Sequence, residues 1–174
     1  MGSSSELVDV VDQDDQVIRV ATRAEVRSGN LLHRCTFIAV FGSDGRLLVH
    51  QRSPHKDVWP SLWDITVGGV LSSGENYPES ARREVAEEIG LTDDFELELL
   101  GKGVYEDQAV RVIGHCFKLV HDGPYVFADG EVVAARLVDP DEARELLQSE
   151  QFVPDSIEIV VPLLAGKWHE ALGR

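Results

Sequence analysis

Short runs of β-branched and aromatic residues, bounded by Gly, Pro, Asn, Asp and Ser, fill most of the chain and predict strands. LVDVVDQDDQVIRVATR, beginning at Leu7, sets two such runs around the turn-forming Asp12-Gln13-Asp14-Asp15 and reads as a hairpin. Ala24 to Arg27 has room for a short helical turn, closed by Gly29 and Asn30. HRCTFIAVF predicts a strand, Ser43-Asp44-Gly45 a turn, and RLLVHQR the partner strand. SPHKDVWPSLWD, which holds two prolines and two tryptophans, predicts a loop. Beyond ITVGGVL and a helical stretch, FELELLGKGVYED, VRVIGHCFKLV and EVVAARLV predict further strands. ARELLQ gives a short helix, and Ser156 to Leu172 a last one, with Asp155 as its cap and Pro162 as a kink.

In the middle of the chain the apolar period changes. Ala81, Val85 and Ile89 recur every fourth residue, Pro78 suits a first helical turn, and Gly90 suits a C-terminal stop. The spacing predicts a helix from about Pro78 to Ile89 with one face in the core. Glu84, Glu87 and Glu88 stand at i, i+3 and i+4, so their carboxylates converge on another side. Like charges at this spacing repel by roughly 0.2–0.5 kcal/mol per pair, and the negative end of the helix dipole opposes them further. A bound cation reverses both penalties. The plainer alternative is a solvated helix in which Glu79 pairs with Arg83 and Arg83 with Glu87. The order of elements predicts an α/β fold (α+β, a mixed sheet) with helices on the faces of the sheet.

Length and charge narrow the classes of function. At 174 residues the chain suits a single domain, 1–174, and no apolar run is long enough for a membrane span. The opening MGSSSE lacks the basic and apolar stretches of a secretory signal, and residues 1–5 read as disordered or as the remnant of an added tag. A formal charge of -15 argues against binding nucleic acid or an anionic membrane, although a small phosphorylated substrate can arrive with its own cation. Cys35 and Cys116 have neither zinc-ligand spacing nor a disulfide framework; they read as buried structural thiols in a cytoplasmic protein, monomer or homodimer.

The chemistry concentrates in GVLSSGENYPESARREVAEEIGL, residues 69–91. Gly69, Glu75, Arg83, Glu84, Val85, Glu87, Glu88, Gly90 and Leu91 fill every fixed position of the pattern that this run resembles, the Nudix box. The resemblance implies an α/β/α sandwich in which the box forms a loop, a helix and a loop. It also implies a hydrolase that breaks the P–O–P bridge of a nucleoside diphosphate linked to another group, or of a related organic diphosphate. Magnesium, or else manganese, is the implied cofactor, consistent with the preference of hard divalent ions for carboxylate oxygens.

By the same resemblance Glu84, Glu87 and Glu88 are metal ligands and Gly69 offers its carbonyl. Arg83 turns back to fix the carboxylates, and Glu75 either touches metal or anchors the loop. Glu131, after Asp129-Gly130, occupies a place where related proteins carry a base or an extra ligand; a strand-edge carboxylate is the alternative. Arg52 and Lys56 are the basic groups nearest the box and candidate phosphate contacts, while Trp59, Trp63 and Tyr105 either stack on substrate or pack the core.

Upstream, LVDVVDQDDQVIRVATR, LLHR and QRSPHKDVWPSLWD resemble the branch that contains isopentenyl-diphosphate isomerase and its hydrolase-like relatives. That likeness adds His33 and Arg34 as substrate contacts and a ligand-like place for His115. The segment before the helix, ITVGGVL, has no cysteine where an isomerase carries its catalytic thiol, and the box is intact. A hydrolase on an isomerase-like frame is the favoured reading, with an isomerase-like enzyme or a non-catalytic nucleotide sensor as alternatives.

Overall fold

The computed structural model of the chain describes residues 4–128 and 130–173. Most of the stretch expected to be disordered, residues 1–3, lies outside the described residues, as does Asp129. The hairpin at the start is β1 (Leu7–Val11) and β2 (Val17–Thr22), followed by α1 (Arg23–Ser28). Then come β3 (His33–Phe41), β4 (Leu47–Arg52), the short β5 (Trp63–Asp64) and α2 (Tyr77–Ile89). β6 (Glu98–Glu106), β7 (Arg111–Val120), β8 (Val132–Val138), α3 (Pro140–Ser149), α4 (Pro154–Val160) and α5 (Lys167–Leu172) complete the fold.

The strands form the mixed sheet expected from the sequence. β3 runs parallel to β7 along its whole length, from His33 opposite Val112 to Phe41 opposite Val120, and β7 continues antiparallel into β6. The other edge of β3 is nearly free of strand partners: it touches β1 at His33 and β4 at Phe41. The gap is filled by the segment that leads into α2. Thr36 N–H donates to the Gly69 carbonyl at 2.9 Å, Ile38 and Val67 exchange bonds at 2.8 and 3.0 Å, and Leu71 N–H reaches the Arg34 carbonyl at 3.1 Å. The start of the box is thereby pinned to the central strand.

Alternation along β3 builds a core on each face of the sheet. Cys35, Phe37, Ala39 and Phe41 point toward α4 and α5, where Ile157, Val160 and Leu172 meet them; Ile38 and Val40 point toward α2. The stripe Ala81, Val85 and Ile89 is 0% exposed and holds α2 against that second face.

Local capping explains where α2 begins and ends. Asn76 and Glu79 form a reciprocal capping box, with Glu79 N–H donating to Asn76 Oδ1 at 3.0 Å, so the helix starts at Tyr77. Gly90 closes it at φ +71°, a left-handed conformation that glycine adopts without strain. The final helix differs from expectation. Ser156 to Leu172 is broken into α4, a 3-10 turn over Val161–Leu163 that contains Pro162, and α5, because proline cannot continue the hydrogen-bond ladder and Gly166 turns the chain at φ +60°. Asp155 does not cap α4: Pro154 takes the first turn, Val153 stands at the cap, and the Asp155 side chain is buried.

Candidate active site

With its apolar stripe fixed in the core, α2 turns Glu84, Glu87 and Glu88 toward a cleft of about 580 Å³. Gly69 lies against the Glu84 carboxylate so closely that a Cβ there would stand 2.7 Å from Oε1. Gly68 donates its N–H to Glu88 Oε2 at 3.0 Å. It does so at φ +143°, where a Cβ would come within 2.1 Å of the Thr36 carbonyl, so both glycines are needed for backbone and carboxylate to meet.

Arg83 organises the remaining carboxylates. It makes a two-pronged contact with Glu75, and its Nη1 reaches Glu84 Oε1 at 2.8 Å and Glu87 Oε2 at 3.2 Å. Glu79, the alternative partner, is occupied by the helix cap. Glu75 also accepts from Ser72 N–H at 3.0 Å and does not line the cleft, which makes it a loop anchor.

These carboxyls are poorly placed to carry negative charge alone. Burial pushes Glu84 above its ordinary value, opposed by Arg83 and reinforced by Glu87. Burial and the neighbouring Glu84 push Glu88 up to about 8. Among the described residues no group of three His, Cys, Asp or Glu is gathered closely enough to hold a metal; Arg83 Nη1 bonds Glu84 and Glu87, and the Gly68 amide holds Glu88. The chemistry of the donors nevertheless fits a hard divalent cation. They are all oxygens, and a cation would favour the ionised state that burial and repulsion now oppose.

In the same cleft, Lys56 makes an ion pair with Glu131. Burial raises the Glu131 carboxyl, and opposing hydrogen bonds and charge, those of Lys56 foremost, hold it below its ordinary value. Both residues line the cleft, and both act electrostatically on Glu88.

The other expected substrate contacts separate. His33 and Arg52 line a smaller inner pocket behind the cleft, with Arg52 Nη2 donating to the Val58 carbonyl at 3.1 Å. Arg34 lines neither space: side chains alternate along a strand, so it faces the other way and pairs with Asp15 at 2.6 Å. His115 likewise lies outside the site, stacked on Tyr77 with ring centroids 3.6 Å apart. Trp63 and Tyr105 are buried in the core, whereas Trp59 lines the inner pocket. The thiols of Cys35 and Cys116 are buried and pushed up to about 12.

Arg23 and Arg27, which also line the cleft, were not anticipated. They face it from α1, where Arg23 pairs with Glu6 at 3.2 Å and Arg27 with Asp57 at 3.4 Å. The signal was present in TRAEVR: Thr22 and Glu25 form a capping box, which fixes a helix and sets the two arginines one turn apart on one side.

Comparison with known proteins agrees with this geometry. The NUDIX domain family matches residues 31–160. An uncharacterised Nudix hydrolase of Yersinia pestis is 38% identical over 153 residues, covering 88% of this chain and 82% of that protein. An uncharacterised Nudix hydrolase of Streptomyces coelicolor is 35% identical and covers 99% of this chain and 95% of its own. In fold, the crystal structure of DR0079 from Deinococcus radiodurans superimposes with a TM-score of 0.71 at 22% identity, over 87% of this chain and 95% of that one. The Escherichia coli dihydroneopterin triphosphate pyrophosphohydrolase gives a TM-score of 0.54 at 23% identity, over 65% of this chain and 84% of that one. Three glutamates of α2 lining one cleft, a glycine pair packed against two of them and this breadth of match lead to one assignment: the chain belongs to the Nudix hydrolase family, enzymes that hydrolyse a pyrophosphate bond.

Proposed function

We propose that the protein is a magnesium-dependent hydrolase of the P–O–P bridge in a nucleoside diphosphate linked to another group, or in a related organic diphosphate. The observation that carries this reading is the pairing of Glu84 and Glu88 with Gly69 and Gly68, where carboxyl groups under electrostatic strain meet backbone with no side chain between them. Glu84, Glu87 and Glu88, with the Gly69 carbonyl, are the residues that would hold the cation. When bound, such a cation neutralises charge developing on the phosphates and acidifies the attacking water.

The chain's own groups do the rest. Arg83 supplies a counter-charge that keeps Glu84 and Glu87 oriented, and Glu75 keeps Arg83 in place. Glu131, held ionised by Lys56, is the candidate to take a proton from water in the cleft. Arg23, Arg27 and Lys56 offer positive charge for phosphate oxygens in the cleft that the glutamates line. The isomerase alternative gains no support, because ITVGGVL has no cysteine at the place of the isomerase thiol and both Cys35 and Cys116 are buried.

The test is to incubate the protein with nucleoside diphosphate derivatives and simple organic diphosphates, with and without magnesium or manganese, and to separate the products. Metal-dependent cleavage between two phosphorus atoms is expected. Absence of metal-dependent cleavage across the whole panel would overturn the proposal.

A further inference from the structure

Behind the cleft, and sharing Lys56, Gly68, Gly69 and Glu88 with it, lies an inner pocket of about 90 Å³. Its lining includes His33, Arg27, Arg52, Trp59, Asp64 and Asp155. His33 is 2% exposed, and its Nδ1 lies 2.8 Å from the Leu31 carbonyl. A carbonyl can only accept, so Nδ1 carries the proton and Nε2 presents a bare lone pair. Burial lowers the imidazole to about 4, which keeps it neutral. His33 Nε2 makes no hydrogen bond to any described residue, and neither does the Nε–H of Arg52, whereas Arg27 Nε lies 3.4 Å from Asp57 Oδ2 in an ion pair.

Buried polar atoms in native proteins are almost always partnered, so the His33 acceptor and the Arg52 donor left open around one pocket define what belongs there. A hydrocarbon tail would leave both of them unpartnered. A phosphate or carboxylate could take the arginine donor but would set its oxygens against the His33 lone pair and the Asp64 carboxylate, whose Oδ1 already accepts from Thr66. A hydroxyl group accepts from an arginine and donates to His33. The pocket has room for a few atoms and opens onto the cleft where a diphosphate would lie.

Resting on the hydrolase reading above, we infer that this inner pocket is a specificity subsite for a small hydroxylated, polyol-like group carried on the diphosphate, and that His33 Nε2 reads one of its hydroxyls. His33 determines which diphosphate is cleaved; the box residues determine that it is cleaved.

The experiment compares two probes of equal carbon number, a four-carbon polyol 1-diphosphate and n-butyl diphosphate, in magnesium, with kcat and KM measured separately. The wild-type protein is expected to favour the polyol in kcat/KM by about 10²-fold, since sites built to hydrogen-bond a hydroxyl reject analogues that lack it. His33→Asn keeps a donor near the Leu31 carbonyl and removes the acceptor at the Nε2 position. It should erase most of the preference, mainly through KM, while His33→Gln, which restores an acceptor there, should recover it. Metal-dependent cleavage of the panel without preference for the polyol, or with neither four-carbon probe cleaved, overturns the subsite while the hydrolase reading stands. Preference unchanged in a folded His33→Asn overturns the role of His33, and no metal-dependent cleavage of anything overturns both readings together.

Discussion

Arg83 grips Glu75 with two parallel hydrogen bonds, Nε to Oε1 at 2.9 Å and Nη2 to Oε2 at 3.0 Å. Glu75 sits before α2 and Arg83 within it, so the contact ties the loop that carries Gly69 to the helix that carries the carboxylates. Both charges are partly shielded from water, and each prong is of the stronger, charge-assisted kind. Glu75→Gln should cost about 1–3 kcal/mol of stability and lower activity about tenfold. More metal should be needed for half-maximal rate, because a freed Arg83 competes for Glu84 and Glu87. Urea melts and magnesium titrations check this; wild-type values in both would make the fork dispensable.

Lys56 holds Glu131 ionised against the pull of burial. A carboxylate with a lowered value stays charged to lower pH, so the acid limb of the rate profile lies low while the pair is intact. Lys56→Met removes the foremost hydrogen bond and charge that oppose burial, and the acid limb of kcat/KM should move up by about one pH unit. A pH–rate profile that keeps its acid limb unmoved would remove Glu131 as the base.

Asp155 is buried beside Asp64, and burial with that like charge raises its carboxyl to about 8. An acid raised on folding binds its proton more tightly in the native state. Its contribution is therefore complete below the ordinary Asp value and is lost as pH climbs toward about 8. Asp155→Asn has no proton to lose. It should be more stable than wild type at pH about 8 by at least about 1.4 kcal/mol, the equivalent of one pKa unit, and the advantage should vanish near pH about 4. Denaturant midpoints at the two pH values decide the matter, and a pH-independent difference would count against a buried acid here.

How far the sequence could be read follows from the range of each signal. The bounds of α2 and its buried stripe depend on local spacing and caps, which a helix repeats faithfully; the same spacing brings Glu84, Glu87 and Glu88 to one cleft, although among the described residues they do not close into a three-carboxylate cluster. Arg34 was paired with His33 because they are adjacent, yet strand geometry sends neighbours to opposite faces, and only the position of the core says which face holds the pocket. The break at Pro162 and Gly166 was marked by those residues, but whether a proline kinks or ends a helix depends on what α5 packs against. TRAEVR marks the helix and sets Arg23 and Arg27 on one side of it, but that this side lines the cleft follows from where α1 packs, a long-range outcome.

The central claim is that the carboxylates of α2 serve a metal rather than the fold. Glu88→Gln tests it most directly, since glutamine preserves shape and can still accept from Gly68 N–H while removing the charge. With a diphosphate that the wild-type protein cleaves in magnesium, turnover should fall by about 10²-fold or more, while the circular dichroism spectrum and melting behaviour of the metal-free protein match or exceed wild type. Unaltered turnover and magnesium dependence in the variant, or a variant that fails to fold, would contradict the account.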